Sequence, residues 1–191
     1  MEKYLASTEI IDWETPEVMA KAKALSAGLE NTAEIAEACF TFVRDEIKHS
    51  NDFKQNQVTC KASDVLKHET GYCYAKSHLL AALLRANGVP AGLCYQRLTI
   101  DDDQPPFCLH GLNAVYLKEF GWYRVDARGN KEGVSAKFTP PIENLAYPIV
   151  TKGEVDLPEV WPDPLPEVVG VLNRYSTYEE VAKNLPDIEV I

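Results

Sequence analysis

A helix that is apolar around most of its circumference cannot lie on a surface, so the rest of the chain must close around it. The run Ala75 to Gly88, AKSHLLAALLRANG, is such a helix, with good helix formers throughout and Asn87-Gly88 ahead of Pro90 as its stop. Directly before it stands Gly71-Tyr72-Cys73. A cysteine therefore opens the one helix that every other element has to bury.

The segments ahead of it read as further helices. Thr15-Pro16-Glu17 is a start signal, with Val18, Ala22, Leu25 and Leu29 at helical spacing and Gly28 near the stop. Asn31 with Glu34 resembles a capping box, and the run to about Ile47 places Ile35, Cys39, Phe42 and Val43 on one side. Ser63 to Leu66 predicts one short helical turn, ended by Thr70-Gly71. Downstream of the central helix the period changes. Gly92 to Ile100, Leu112 to Leu117 and Trp122 to Ala127 are short, β-branched and aromatic, and bounded by turns. Helices first and antiparallel strands second is the α+β order, in which helices collect against one side of a sheet.

From Thr139 the chain is proline-rich, which predicts extended wrapping segments interrupted by two short helices near Pro166 to Asn173 and Thr177 to Asn184. The expected division is a core over residues 1–138 and an extension over 139–191 that wraps the same domain. With 191 residues, 46% of them apolar and 25% charged, the chain can bury a core without staples. Five irregularly spaced cysteines (Cys39, Cys60, Cys73, Cys94, Cys108) argue against a disulfide framework and a zinc ribbon. His49 and His68 add no spacing suited to zinc, so no metal is expected. Met1 to Trp13 lacks a basic start followed by an apolar run, and no stretch approaches bilayer-spanning length, from which we expect a cytoplasmic protein without a membrane partner. A net charge of −10 with scattered Lys and Arg argues against nucleic acid.

At a helix start, unpaired N–H groups and the positive end of the dipole favour a thiolate, which makes Cys73 a candidate nucleophile. His110 stands just before one expected strand and Asp126 lies on the next, with a connection near Lys118 to Gly121 short enough for a hairpin. Strand parity then restricts the register. A turn centred on Lys118 sets His110 opposite Asp126, and one centred on Glu119 makes them diagonal neighbours. A two-residue turn at Glu119-Phe120 would send the two side chains to opposite faces unless a bulge restored the parity.

Three motifs, GYCYAKSHLLAALLRANGVPAG, LHGLNAVYL and GWYRVDARGN, resemble the core motifs of the transglutaminase-like superfamily over about Asp64 to Asn130. The resemblance implies a papain-like core, with Cys73 as nucleophile, His110 as base and Asp126 as orienter. It implies acyl transfer or hydrolysis at an amide or peptide bond through a thioester, without a cofactor. Peptides, proteins or small amides would be the substrates. Many relatives carry Ala-Trp after the histidine and Pro-x-Thr after the aspartate, where this chain has Gly111-Leu112 and Ala127-Arg128-Gly129. The alternative is a catalytically silent fold that binds a peptide or protein partner as a scaffold.

Other conspicuous residues read more plainly. The Cys73 backbone N–H supplies one oxyanion donor, and His49, Asn51 and Gln96 are candidates for the second. His78, beyond Cys73 on the same helix, points away from it and is structural. Asp101-Asp102-Asp103 reads as a solvated loop, and Tyr116, Trp122 and Tyr123 as core aromatics rather than an acyl pocket. Arg128 is expected either to pair with Asp126 or to bind substrate. Of Cys94 and Cys108, one is expected in the core and one within reach of oxidants.

Overall fold

The computed structural model describes residues 1–101 and 104–188, the side chain of Asp101 excepted, so the acidic stretch Asp101 to Asp103 lies largely outside the described residues. The elements run α1 (Pro16–Leu25), α2 (Thr32–Glu46), β1 (Lys48–His49), α3 (Ala62–His68), β2 (Thr70–Gly71) and α4 (Cys73–Ala86). They continue as β3 (Ala91–Asp101), β4 (Gln104–Leu117), β5 (Gly121–Val125), β6 (Val155–Asp156), α5 (Pro166–Arg174) and α6 (Tyr178–Ala182). The α+β order is therefore present, with an antiparallel sheet in the order β5-β4-β3-β6.

Helix α4 is the hub. It touches α1, α2, α3, β3 and β4, and every residue from Cys73 to Arg85 is buried. Leu79, Leu80, Leu83 and Leu84 are sealed by Val18, Phe40, Val43 and Val65 from the helices and by Leu93, Tyr95, Leu109 and Val115 from the sheet. Fully burying each such side chain contributes about 1.5–3 kcal/mol. The sheet's other face holds a smaller cluster of Cys94, Leu112 and Ala114, covered by Trp122, Leu145 and Val160.

The helix ends show how local chemistry sets each boundary. Pro16 opens α1, but the Thr15 side chain makes no cap bond. Asn31 caps α2 by accepting from the Ala33 N–H at 2.7 Å, rather than through the Glu34 N–H of a capping box. Helix α3 stops one residue before Thr70-Gly71 expected it to, because Glu69 turns left-handed at φ +53°. Thr70-Gly71 instead forms β2, paired in parallel with Lys48-His49. The two late helices, α5 and α6, sit near their expected positions, and α6 carries a complete capping box between Thr177 and Glu180.

The largest boundary difference is β4, which starts at Gln104 rather than near Leu112, so His110 lies inside a strand and pairs with Gln96. Gln104-Pro105-Pro106 does not look like a strand start. The prolines are tolerated because β5 pairs only from Asn113 onward, leaving this stretch an open edge that needs no further N–H donors.

Residues 139–188 lie across both faces of the sheet. Leu93 and Trp161 exchange backbone bonds, β6 pairs with β3, and Val168, Leu172 and Val181 are buried in the main core. Arg85 ties this segment down. Its guanidinium, 2% exposed, donates to Ala91 O (3.1 and 2.9 Å), Ala6 O (2.8 Å) and Pro162 O (2.5 Å). Burial lowers its pKa to about 10, so it stays charged at neutrality.

Candidate active site

The β4–β5 hairpin pairs Asn113 with Val125 and Leu117 with Gly121, which centres it on Glu119. Of the two permitted registers this is the diagonal one. It puts His110 Nε2 2.7 Å from Asp126 Oδ2, with both side chains buried. Cys73 stands close enough to the ring to favour its protonated form, and since Nε2 faces the carboxylate, Nδ1 is the nitrogen left for the thiol. The structure thus brings together Cys73 from the first turn of α4, His110 from β4 and Asp126, which lies one residue past β5 rather than on the strand that the sequence extended to Ala127.

Gly111 explains how a helix start reaches a strand. Its N–H points at Cys73 Sγ at 3.5 Å, and a Cβ built on it would meet Tyr74 Cδ1 at 2.9 Å, Tyr74 Cα at 3.1 Å and Tyr74 N at 3.2 Å. The Tyr74 hydroxyl meanwhile donates to Leu109 O, fastening the same turn to the same strand. The glycine that departs from the relatives' alanine is therefore a contact requirement here. Gly111→Ala is expected to push the first turn of α4 off β4. A stability loss of about 1–3 kcal/mol should appear in denaturant melts. A drop on the order of 100-fold in the rate of Cys73 chemistry should accompany it, since small misplacements cost that much. Unchanged rates would mean that the helix start adjusts freely.

Asp126 accepts three hydrogen bonds: from His110, from the Arg128 N–H (3.1 Å) and from the Ala146 N–H (3.1 Å). Burial opposes its charge, but His110 and the two backbone donors outweigh burial and lower its pKa. Burial likewise opposes charge on His110. The charges of Asp126 and Cys73, and hydrogen bonds to both, prevail and raise its pKa to about 10. The surroundings of His110 thus favour its protonated ring.

Cys73 and His110 border a cavity of about 420 Å³, and Asp126 is fully buried behind the ring. Its lining includes polar groups, among them His49, Asn51, Arg128 and Lys131, and apolar ones, among them Leu98, Ile100, Leu109 and Leu185. Tyr147 packs edge-on against His110 at 5.0 Å between ring centres. Tyr147, Glu154 and Leu185 all come from the proline-rich segment. Arg128 does not pair its side chain with Asp126; it grips Asp52 with both nitrogens (2.7 and 3.0 Å), and Lys131 joins the same carboxylate at 3.0 Å. Beneath the cavity, buried Lys76 donates to Ile47 O and to Arg44 O (3.3 Å), closing the C-terminal end of α2. Burial first, and then Arg128, lower its pKa to about 7 against the pull of nearby carboxylates.

The remaining candidates are placed elsewhere. His78 is buried with Nδ1 2.8 Å from Cys60 O, and burial lowers its pKa to about 4. Tyr123 is core, and Tyr116 and Trp122 stack edge-on at 5.6 Å away from the cavity. Cys94 is buried, whereas Cys108 borders the cavity. The sequence reading missed Asp52, Ala146 and Tyr147. Asp52 carried one faint signal, its position three residues after His49 in a polar loop, and the other two carried none.

Comparison with known proteins agrees with this arrangement of elements. The chain is similar over 65% of its length, at 19% identity and a TM-score of 0.53, to a crystal structure described as "a Putative Cysteine Protease from Cytophaga hutchinsonii", of which 40% is covered. It is also similar, at 18% identity and a TM-score of 0.48, to the periplasmic domain of TgpA from Pseudomonas aeruginosa, with 65% of this chain and 45% of that one covered. The chain therefore spans less than half the length of either. No curated protein sequence matches it. The family model described as the transglutaminase-like superfamily matches residues 19–127, from α1 to the residue after Asp126, and the chain belongs to that superfamily.

Proposed function

We propose that this protein is a thiol enzyme that transfers or hydrolyses acyl groups at an amide or peptide bond, with Cys73 as nucleophile, His110 as proton carrier and Asp126 as its orienter. The observation that carries this is the placement of Cys73, on the first turn of α4, at one cavity with His110, whose ring is bonded to a carboxylate with three donors. The Cys73 thiolate attacks the carbonyl carbon. The charged His110 then gives its proton to the leaving amine, and a thioester remains. Water activated by His110 releases the acid, whereas an amine would take its place in a transferase. We favour hydrolysis, because the exposed residues Asn51 and Lys131 are part of the cavity lining and give water a route to the thioester. Incubation with a glutamyl peptide and a labelled amine decides between them, and label incorporation outpacing hydrolysis would reverse the order. We propose peptides, proteins or small amides as substrates.

Alkylation tests the assignment without knowledge of the substrate. Burial raises Cys39, Cys94 and Cys108 to about 12 and Cys60 to about 11, so these thiols stay protonated at neutrality. Iodoacetamide near pH 6 is expected to label Cys73 alone, and His110→Ala to remove that advantage, as read by mass spectrometry of each cysteine. His110 is charged below about 10 and loses its proton above it, so turnover limited by leaving-group protonation should fall on an alkaline limb near that pH. Equal labelling of Cys73 and Cys60 would rule out the assignment.

A further inference from the structure

A thiolate attacking a carbonyl needs two hydrogen-bond donors on the oxygen that becomes negative, and only the Cys73 N–H follows directly from the helix start. The three side chains considered for the second donor are separated by the structure. Gln96 lies opposite His110 on the sheet, but its Nε2 is committed to Tyr147 O (3.2 Å) and Asp156 Oδ1 (3.0 Å), and it does not border the Cys73 cavity. Asn51 borders the cavity but is exposed, with no packing to hold it. His49 differs from both: it borders the cavity and is only 7% exposed, its ring packed edge-on against Tyr72 at 5.4 Å.

The backbone delivers His49 to this place. In the β1–β2 bridge it pairs with Gly71, two residues before Cys73, and the Ser50 N–H donates to Gly71 O at 3.1 Å. Its Nδ1 is enclosed without a hydrogen-bond partner, 3.7 Å from Asp52 Oδ2. That carboxylate cannot close the gap cheaply, because Arg128 holds both of its oxygens and Lys131 shares one. No acceptor lies within hydrogen-bond distance of Nδ1, which leaves the ring proton free to sit on Nε2, the nitrogen left to the cavity. Burial, then the charge of Arg128, outweigh Asp52 and lower the pKa of His49 to about 3, so the ring remains a neutral donor.

We propose that His49 is the second oxyanion donor, its Nε2–H facing the carbonyl oxygen of the substrate across from the Cys73 N–H. This rests on the acyl-transfer reading above. As the Sγ–C bond forms, the carbonyl π pair moves onto oxygen, where the two N–H groups hold it. When the C=O bond re-forms, the bond to the leaving group breaks and His110 supplies its proton.

Two reagents at the same sulfur test this. p-Nitrophenyl acetate acylates Cys73 through a tetrahedral oxyanion and releases nitrophenolate, whereas iodoacetamide alkylates it by displacement of iodide with no oxyanion formed. In His49→Phe, acylation is expected to slow by roughly 100-fold, the usual cost of one missing donor. Alkylation should stay near the wild-type rate, because the pair of Cys73 and His110 is intact. His49→Gln, which keeps an N–H, should recover a large part of the acylation rate, and His49→Ala replaces the phenylalanine variant if that one does not fold. The proposal is overturned if both reactions slow together, which would make His49 a prop for the thiol, or if neither changes. Wild type that alkylates rapidly yet is not acylated at all would instead refute the acyl-transfer reading itself.

Discussion

Cys73→Ala is expected to lower turnover by about a millionfold, the loss seen when a nucleophile is removed from residues that act as a unit. The fold should be almost unaffected. Helix α4 is held by leucines on all sides, Ala is a better helix former than Cys, and only a weak Gly111 N–H to sulfur contact disappears. Asp126→Asn should cost about four orders of magnitude, because an amide presents an N–H where the ring must find an acceptor. The two variants are measured by single turnover on any amide or ester that the wild type accepts, alongside thermal melts. If Cys73→Ala retains turnover within tenfold while partner binding persists, the chain is a scaffold and the nucleophile assignment is wrong.

The largest effect on stability is expected from Arg85→Met. Methionine keeps most of the buried stem, so the loss isolates the guanidinium, whose four bonds reach carbonyls of the N-terminal segment, the start of β3 and the proline-rich segment. Leaving such acceptors buried and unpaired costs about 3–5 kcal/mol in total. In a domain of this size that lowers Tm by on the order of 10 °C. Arg85→Lys should rescue only a part, since one ammonium cannot span three directions. A shift of less than about 2 °C for the methionine variant would show that water replaces the guanidinium without penalty.

Much of the site was legible because it depends on short-range signals. A thiol at a helix start, a histidine and an aspartate flanking a tight turn, and strand parity together restricted the hairpin to two registers, and the structure has the one centred on Glu119. The exit of α4 at Asn87-Gly88 is likewise local. The early start of β4 was hidden because Pro105-Pro106 is permitted only by the missing neighbour on that edge, a tertiary condition. Arg128 illustrates the same limit. Its backbone serves Asp126, whereas its side chain finds Asp52 across a long loop, and no local pattern distinguishes these uses. Ala146 and Tyr147 could not be read at all, because one acts through a main-chain N–H and the other through a ring edge.

The Ala146 N–H on Asp126 has a consequence for how the site comes into being. Synthesis runs from the N- to the C-terminus, so Cys73, His110 and Asp126 emerge before Ala146 and Tyr147, which complete their surroundings. Until that segment docks, the carboxylate has one donor fewer and the imidazole lacks the Tyr147 ring that screens it from solvent. A nascent or partly folded copy thus carries all three groups in a blunted state. If the proposed acyl chemistry holds, full reactivity waits for that docking, and a copy without it attacks the amide bonds around it poorly.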